Sequence, residues 1–124
     1  MSIFDRDSEI YRKMNEYTMV RLVRTFHSVG HGAFYTERFY RGKGDDYNVA
    51  NIVYDCGSGS AHNTLLNIIE EEFKNSAVID TIFISHFHDD HVNGIPELCK
   101  KYTVKKIIVP LLPDEYKVDV TPKV

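Results

Sequence analysis

The segment His86–His91, with the sequence His-Phe-His-Asp-Asp-His, constrains this chain of 124 residues more than any other stretch. It concentrates three imidazoles and two carboxylates one residue after the apolar run Ile82–Ile84. Polar side chains at the end of a buried strand need partners, because unpaired polar groups there cost free energy. Metal ligation is the simplest way to provide them. Imidazole nitrogen and carboxylate oxygen suit zinc, and also manganese or iron.

The spacing within the segment indicates how cations would be held. Side chains two residues apart in an extended segment project to the same side, so His86 and His88 are expected to hold one cation. If the chain bends at Asp89, then Asp90 and His91 face a second position nearby. The alternative is a surface loop in which histidines have accumulated by chance. Three histidines and an aspartate at these offsets favour metal ligation.

The pattern His-x-His-x-Asp-His after a hydrophobic strand resembles the metal-binding signature of the metallo-β-lactamase-fold hydrolases. The flanks 81–85 and 92–96 agree with it, and the resemblance covers roughly residues 19–112. It implies an α/β fold, the N-terminal half of an αββα sandwich, with a mixed β-sheet and flanking helices. The implied organisation is a polar N-terminal leader over residues 1–18 and a metallo-β-lactamase-like domain over residues 19–124, incomplete at its C-terminus.

The resemblance also implies a role for each polar residue of the segment. His86 and His88 would hold a first metal, and Asp90 and His91 a second, with Zn²⁺ as the expected ion and Mn²⁺ or Fe²⁺ as alternatives. Asp90 would be the catalytic residue, because it would orient the attacking hydroxide and manage its proton. Asp89 occupies a variable position of the motif and is expected to face solvent or form a turn.

Asp55 is the acidic residue that the fold should bring closest to the histidines. It follows a predicted strand, and ligands of open α/β sheets collect beyond the carboxyl ends of strands. The resembled family also shows an aspartate followed by glycine at a strand end ahead of its histidine motif, as in Asp55-Cys56-Gly57. Asp55 would then orient a metal ligand or the loop. The alternative is an aspartate that stabilises a turn by bonding nearby backbone amides.

Some ligands of the resembled family are missing. That family needs a further histidine for each metal and a bridging aspartate, all downstream of the motif. The six histidines here are His27, His31, His62, His86, His88 and His91, so none follows His91. His27 and His31 flank a glycine turn and are expected to be exposed to water rather than to replace the missing ligands. His62 is expected on a helix surface.

The function expected from these residues is that of the N-terminal portion of a metal-dependent hydrolase. It would use a metal-bound hydroxide on an ester, phosphodiester, thioester or amide-type substrate, with a mild preference for phosphodiesters by analogy. The full protein is expected to continue beyond Val124 or to be complemented, and the 124 residues alone to be inactive. The alternative is a non-catalytic or decayed fragment that acts as a metal-binding or interaction module.

The composition of the chain bears on which classes of partner and which cellular compartment are expected. The net charge of −3 argues against a general nucleic-acid binder. Cys56 and Cys99 form no ligand pair, which fits a reducing cytosol with both residues buried. No apolar stretch reaches membrane-spanning length, so a cytoplasmic protein without membrane contact is expected.

Periodicity predicts the elements. Strands over 19–26, 33–40 and 49–54 form an antiparallel meander, and a helix with Ser60 as N-cap buries Leu65, Leu66, Ile69 and Phe73. A buried strand over 78–85, a short helix from Pro96 to Tyr102 and a strand over 105–109 follow, and Ser8 could start an N-terminal helix.

Half of a sandwich leaves one face of its sheet uncovered, which soluble monomers rarely tolerate. Apolar strand residues are candidates to line that face: Val20, Leu22, Ile52, Ile82, Ile84 and Ile108. The chain alone is therefore expected to form a homodimer, to aggregate or to pack loosely, unless a complementing C-terminal half covers the face.

Overall fold

The structure, a computed structural model, describes residues 20–42 and 47–111. The predicted leader over residues 1–18, the helix starting at Ser8 and the tail after Leu111 lie outside the described residues.

Three antiparallel strands form the first half of the sheet. They are β1 (Val20–Phe26), β2 (Gly32–Arg41) and β3 (Asn48–Ser58), each hydrogen-bonded to the next, so the predicted meander is confirmed. Valine, threonine and aromatic residues dominate them, as is typical of a pleated, half-buried surface. β3 is longer than predicted and continues to Ser58 instead of ending at Tyr54. Asp55 therefore lies inside the strand, not beyond its end.

The helix after β3 follows the predicted period. α1 (His62–Phe73) buries Leu65, Ile69 and Phe73, which recur at intervals of four. The predicted N-cap is wrong, because Ala61 precedes the helix and the Ser58 hydroxyl accepts the Ala61 N–H at 2.9 Å. The two later helices are short: α2 (Asp89–Val92) and α3 (Ile95–Lys101). No helix in the described part of the chain is long and apolar enough to cross a membrane.

The predicted strand over 78–85 is divided between two sheets. β4 (Val78–Ile79) pairs in parallel with β6 (Thr103–Val104), whereas β5 (Thr81–Phe83) lies between β3 and β7 (Ile107–Ile108), also in parallel. The division falls at Asp80, whose N–H donates to Asn51 O at 2.9 Å while its Oδ2 accepts the Asn51 N–H at 2.8 Å. The main sheet has the order β1-β2-β3-β5-β7. The predicted α/β class, with a mixed sheet and flanking helices, is confirmed.

The core lies between the sheet and its helices. Its largest fully buried side chains include Phe73, Leu65 and Ile69 of α1, Leu98 of α3 and Val53 and Ile82 of the sheet. Ile82 therefore faces the helices and not the uncovered face, and Ile84 packs against the same core, so both assignments were wrong. Cys56 is buried as predicted, but Cys99 is exposed because it lies on the solvent side of α3.

The opposite face of the sheet carries a row of large apolar side chains across all five strands. Strand register aligns Phe26 with Tyr35, Tyr35 with Tyr54, Tyr54 with Phe83, and Phe83 with Ile108. Neighbouring rings lie 4.6, 5.5 and 4.7 Å apart, so the aromatic side chains contact one another along the row. Phe26 is 85% exposed, Ile108 42% and Tyr54 40%. We call these five residues the aromatic row.

A buried ionic cluster joins the meander to the end of α1. His27 Nε2 lies 2.7 Å from Glu72 Oε2, and Arg38 Nη1 lies 3.3 Å from Glu72 Oε1. The His27 ring also stacks on Phe34 at 4.4 Å. The expectation that His27 is a water-exposed turn residue is wrong, because its side chain is only 9% exposed. Burial raises the pKa of the Glu72 carboxyl, but the hydrogen bonds and charges of His27 and Arg38 outweigh burial and hold that pKa below its ordinary value.

We predict that Glu72→Gln destabilises the fold by about 2 kcal/mol at neutral pH, because it leaves Arg38 buried without a counter-charge. A carboxyl with a lowered pKa stabilises the fold above its unfolded pKa, here 4.5, and this contribution is lost as the pH falls through the folded value. The difference between the native chain and the variant should therefore shrink below about pH 4. Urea unfolding at neutral and acidic pH measures it. Glu71→Gln, next to it but 76% exposed, is the control and should change little at either pH.

We predict that the isolated chain self-associates through the aromatic row, with a second copy as the occupant. Tyr54→Lys places a charge in the middle of the row and should shift the chain toward monomer in light scattering. Val49→Lys is a matched control, because Val49 lies on the same strand at similar exposure, 44% against 40%, but lines a cavity on the helix side of the sheet with Asn51 and Glu72. A native chain that stays monomeric at high concentration, with a sharp thermal transition, would contradict the prediction.

Candidate metal centre

Asp55 occupies a β-bulge in the central strand. The pairing of β2 with β3 shifts register here, because Phe34 faces Cys56 while Tyr35 faces Tyr54, so Asp55 has no partner on β2. Its φ of 54° lies in the left-handed region, which aspartate tolerates better than most residues. A bulge bends its strand and redirects one side chain. At this bulge the Asp55 carboxylate turns toward the end of β5 and the histidine segment.

The Asp55 carboxylate accepts hydrogen bonds from Ser85, which directly precedes the histidine segment His86–His91, and from His91 at its end. Its Oδ1 accepts the Ser85 N–H at 2.7 Å, and its Oδ2 accepts the Ser85 hydroxyl. The same Oδ2 lies 2.9 Å from His91 Nδ1. The Ser85 hydroxyl continues the chain, since its oxygen lies 2.9 Å from His86 Nδ1. Asp55 thus contacts His91 directly and His86 through Ser85.

This hydrogen-bond chain determines which nitrogen of each imidazole carries the proton. A carboxylate only accepts, so His91 Nδ1 is the donor in that contact. The Ser85 hydroxyl uses its single proton toward Asp55, so its oxygen accepts from His86 Nδ1–H. Both imidazoles, when neutral, therefore have an Nε2 with a free lone pair. This is the tautomer that a metal-ligating histidine needs when its other ring nitrogen is hydrogen-bonded.

The charge on Asp55 is stabilised by its partners. Burial raises the pKa of this carboxyl, but the hydrogen bonds from Ser85 and His91 together outweigh burial and place the pKa below its ordinary value. Asp55 is therefore an ionised, buried acceptor at neutral pH. The neighbouring Cys56 behaves differently, because burial and then the charge of Asp55 raise the pKa of its thiol. Cys56 remains a protonated core residue.

Of the remaining members of the predicted cluster, His88 lies beside His86, Asp90 lies near His91, and Asp89 is exposed. The His86 ring lies 4.6 Å from the His88 ring and 3.9 Å from the His91 ring, centroid to centroid. Asp90 Oδ2 lies 3.9 Å from His91 Nε2 and 3.2 Å from His31 Nε2. Asp89 is exposed, and its carboxylate accepts from the Asn93 amide at 3.2 Å. The structure thus brings His86, His88 and His91 together, with Asp90 beside them and Asp55 beneath.

Close backbone contacts hold the histidine segment against the end of β3. The Asn93 side chain accepts the Ser58 N–H at 3.0 Å and donates to Ser58 O at 2.6 Å, as a neighbouring strand would. Gly94 N–H donates to Cys56 O at 2.7 Å. Gly57 makes the approach possible, since a Cβ there would lie 2.5 Å from the Asp90 carbonyl group and 2.7 Å from His91 N.

Sequence reasoning missed three contributors to this site. Ser85 and Asn93 were treated only as flanks of the motif, although a serine between an apolar strand and a histidine cluster is a possible signal. His31 was expected to be an exposed turn residue. Its side chain is 82% exposed, as expected, but its Nε2 also contacts Asp90. The contact of Ser85 with Asp55 and that of His31 with Asp90 cannot be deduced from spacing, because each joins residues more than 25 positions apart in the chain.

Comparison with known proteins identifies the family. The profile of the Metallo-beta-lactamase superfamily matches residues 47–121. The chain belongs to this superfamily. The resemblance drawn from the histidine motif is therefore confirmed.

Several curated relatives in the superfamily are ribonucleases. The chain is 36% identical over 73 residues to Ribonuclease J of Mycoplasma pneumoniae. This alignment covers 54% of this chain and 13% of that protein. It is 33% identical to Ribonuclease J of Mycoplasma genitalium with the same coverage. Identity to Ribonuclease BN of Escherichia coli is 39% over 59 residues, covering 48% and 18%. The chain thus spans less than a fifth of the length of these relatives.

Membership in the superfamily implies a divalent-metal site, and the donors present here fit one. Ligand atoms of Asp55, His86 and His91 lie within 4.8 Å of one another. Distance alone would make Asp55 a ligand, but both of its oxygens already accept hydrogen bonds from Ser85 and His91. Those bonds favour Asp55 as the group that orients the imidazoles, with cations on their Nε2 side.

We predict that Gly57→Ala destabilises the fold by about 1–3 kcal/mol and displaces Asp90 and His91, because a Cβ cannot fit against their backbone. Urea unfolding measures the first effect and imidazole NMR shifts the second. Gly59→Ala is the control. A Cβ there would meet the exposed His31 ring at 3.3 Å, which can give way, and Asp90 Cβ at 3.4 Å, an ordinary van der Waals distance. Equal effects of the two substitutions would show that the close approach at Gly57 is unimportant.

Proposed function

We propose that this chain supplies one part of the metal centre of a metal-dependent hydrolase that cleaves phosphodiester bonds of RNA. The hydrogen-bond chain from Asp55 to His91, and through Ser85 to His86, supports the proposal most strongly. Holding polar groups in a partly buried network is costly unless every member is satisfied. Here the network leaves an Nε2 lone pair free on each of the two imidazoles, and a bound cation is the partner that would satisfy each lone pair.

Each residue of the site has a separate proposed role. His86 and His88 hold a first cation, and Asp90 and His91 hold a second, with Zn²⁺ proposed and Mn²⁺ or Fe²⁺ as alternatives. Such cations, when bound, lower the pKa of water and stabilise the charge that develops on the substrate oxygen. Asp90 orients the attacking water and accepts its proton. Asp55 and Ser85 keep the imidazoles in the required tautomer.

The relatives support the substrate class. Three of them are named as ribonucleases, and a phosphodiester is the bond that such enzymes cleave. The net charge of −3 gives RNA no general electrostatic attraction, so substrate binding would depend on the cations and on residues outside this chain. The further ligands of a complete centre would come from a complementing C-terminal half. We propose the cytoplasm as the compartment, since both cysteines are free.

A second candidate is a non-catalytic module that binds metal weakly or serves as an interaction surface. The aromatic row favours it, because Phe26, Tyr54 and Ile108 of that row are exposed and offer an apolar surface to a partner. The genomic sequence after the codon for Val124 discriminates between the two. An open reading frame with further histidines and aspartates supports the hydrolase, and a stop codon supports the module.

We predict that the 124-residue chain binds Zn²⁺ more weakly than a complete two-metal site, because two or three protein ligands per cation leave the remaining positions to water. Calorimetry measures affinity and stoichiometry. His86→Ala and His91→Ala should each weaken binding by about tenfold or more, whereas His62→Ala, an exposed histidine on α1, should not. Binding that is unchanged by His86→Ala would remove the basis of the proposal.

Substrate specificity needs a separate measurement. The chain alone should not turn over, whereas a chain joined to its complementing half should cleave an RNA oligonucleotide, and Asp90→Asn should abolish the cleavage without unfolding the protein. Hydrolysis of a thioester or lactam with no cleavage of RNA would reject the proposed substrate class while keeping the metal centre.

A further inference from the structure

His31 is the one histidine outside the predicted motif that contacts it within the described residues. It lies between β1 and β2, more than 50 positions before Asp90, yet its Nε2 is 3.2 Å from Asp90 Oδ2. Its side chain is 82% exposed, and the carboxylate of Asp90 is 21% exposed. The contact therefore lies on the solvent side of the candidate metal centre, where a substrate would approach.

The backbone of His31 is held tightly although its ring is exposed. His31 N–H donates to the Ser60 hydroxyl at 2.9 Å, and Gly59 N–H donates to His31 O at 2.6 Å. The following residue, Gly32, has a φ of +155°, and a Cβ there would lie 2.7 Å from Asp90 O and 2.3 Å from Gly57 O. The loop that carries His31 is thus packed against the backbone of the histidine segment itself.

The stability of the fold does not explain this arrangement. An exposed pair of charged or polar side chains typically contributes less than about 1 kcal/mol, and salt screens it further. The close approach of Gly32 to the Asp90 and Gly57 backbones and the two backbone hydrogen bonds place the imidazole beside Asp90, and the exposed pair itself adds little stability. Exposed side chains on rigidly held loops are where binding and catalytic residues concentrate.

We propose that His31 is a positioning residue of the metal centre, which fixes the orientation of the Asp90 carboxylate. In this role its Nε2–H would donate to Asp90 Oδ2, 3.2 Å away, and leave the other carboxylate oxygen for a cation or for the attacking water. Carboxylates that ligate metals are commonly held by such hydrogen bonds, and losing one typically costs about 10–100-fold in affinity. This inference rests on the proposed function, because it gives His31 a role only if Asp90 meets a cation.

Three variants of the whole chain test the role. His31→Ala removes the contact between the imidazole and Asp90, His31→Gln keeps an N–H donor at nearly the same place, and His62→Ala removes an exposed histidine elsewhere. Zn²⁺ calorimetry and the visible absorption of bound Co²⁺ report on the centre without any substrate. Thermal unfolding in a chelator reports on the fold alone.

We expect His31→Ala to weaken metal binding by about tenfold or more and to change the Co²⁺ spectrum, with the thermal transition in chelator unchanged. His31→Gln and His62→Ala should both behave like the native chain. Native-like binding by His31→Ala overturns the inference. Loss of binding by His31→Gln also overturns it, because the imidazole would then be a metal ligand rather than a hydrogen-bond donor. If the native chain itself binds no metal, the proposed function fails, and the role of His31 fails with it.

Discussion

The arrangement of the candidate metal centre depends on the buried carboxylate of Asp55. It is placed by a bulge whose left-handed backbone turns it out of the ladder between β2 and β3. An ionised carboxylate in that position needs strong donors, and Ser85 and His91 provide three. The same bonds join β3 to the end of β5 and to α2. One interaction therefore orients the imidazoles and holds together the elements that carry them.

The aromatic row and the candidate metal centre are adjacent at β3 and β5. Tyr54 directly precedes Asp55, and Phe83 lies two residues before Ser85, so the middle of the row lies next to the residues that begin the hydrogen-bond chain. This proximity gives a physical reason why one complementing half would both bury the exposed rings and deliver further ligands. Covering the face and completing the centre would then be a single event.

The sequence predicted the meander and α1 from a local period and the histidine motif from a local spacing, whereas the mixed sheet was implied by the family that the motif resembles. It could not predict the division of 78–85, since the Asp80–Asn51 bonds that separate β4 from β5 join distant parts of the chain. His27 and His31 show the same limit. Both occupy one short loop, yet Glu72 buries the first and Asp90 lies beside the exposed ring of the second. Tertiary contacts decide such outcomes, and composition carries no sign of them.

The close approach between backbones explains why the site tolerates so many polar groups. At Gly32, Gly57 and Gly94 a Cβ would lie within 3 Å of a neighbouring backbone or core atom. Without side chains at these positions, the loop before β2, the end of β3 and the segment after α2 pack directly on one another. Their amides and carbonyls then pair across the contact, as Gly94 N–H does with Cys56 O. Water is thereby kept away from the base of the site, which strengthens the hydrogen bonds of Asp55 because the local dielectric is low. The glycines and the buried aspartate thus act together. The close packing that the glycines allow strengthens the hydrogen bonds by which Asp55 orients His86 and His91.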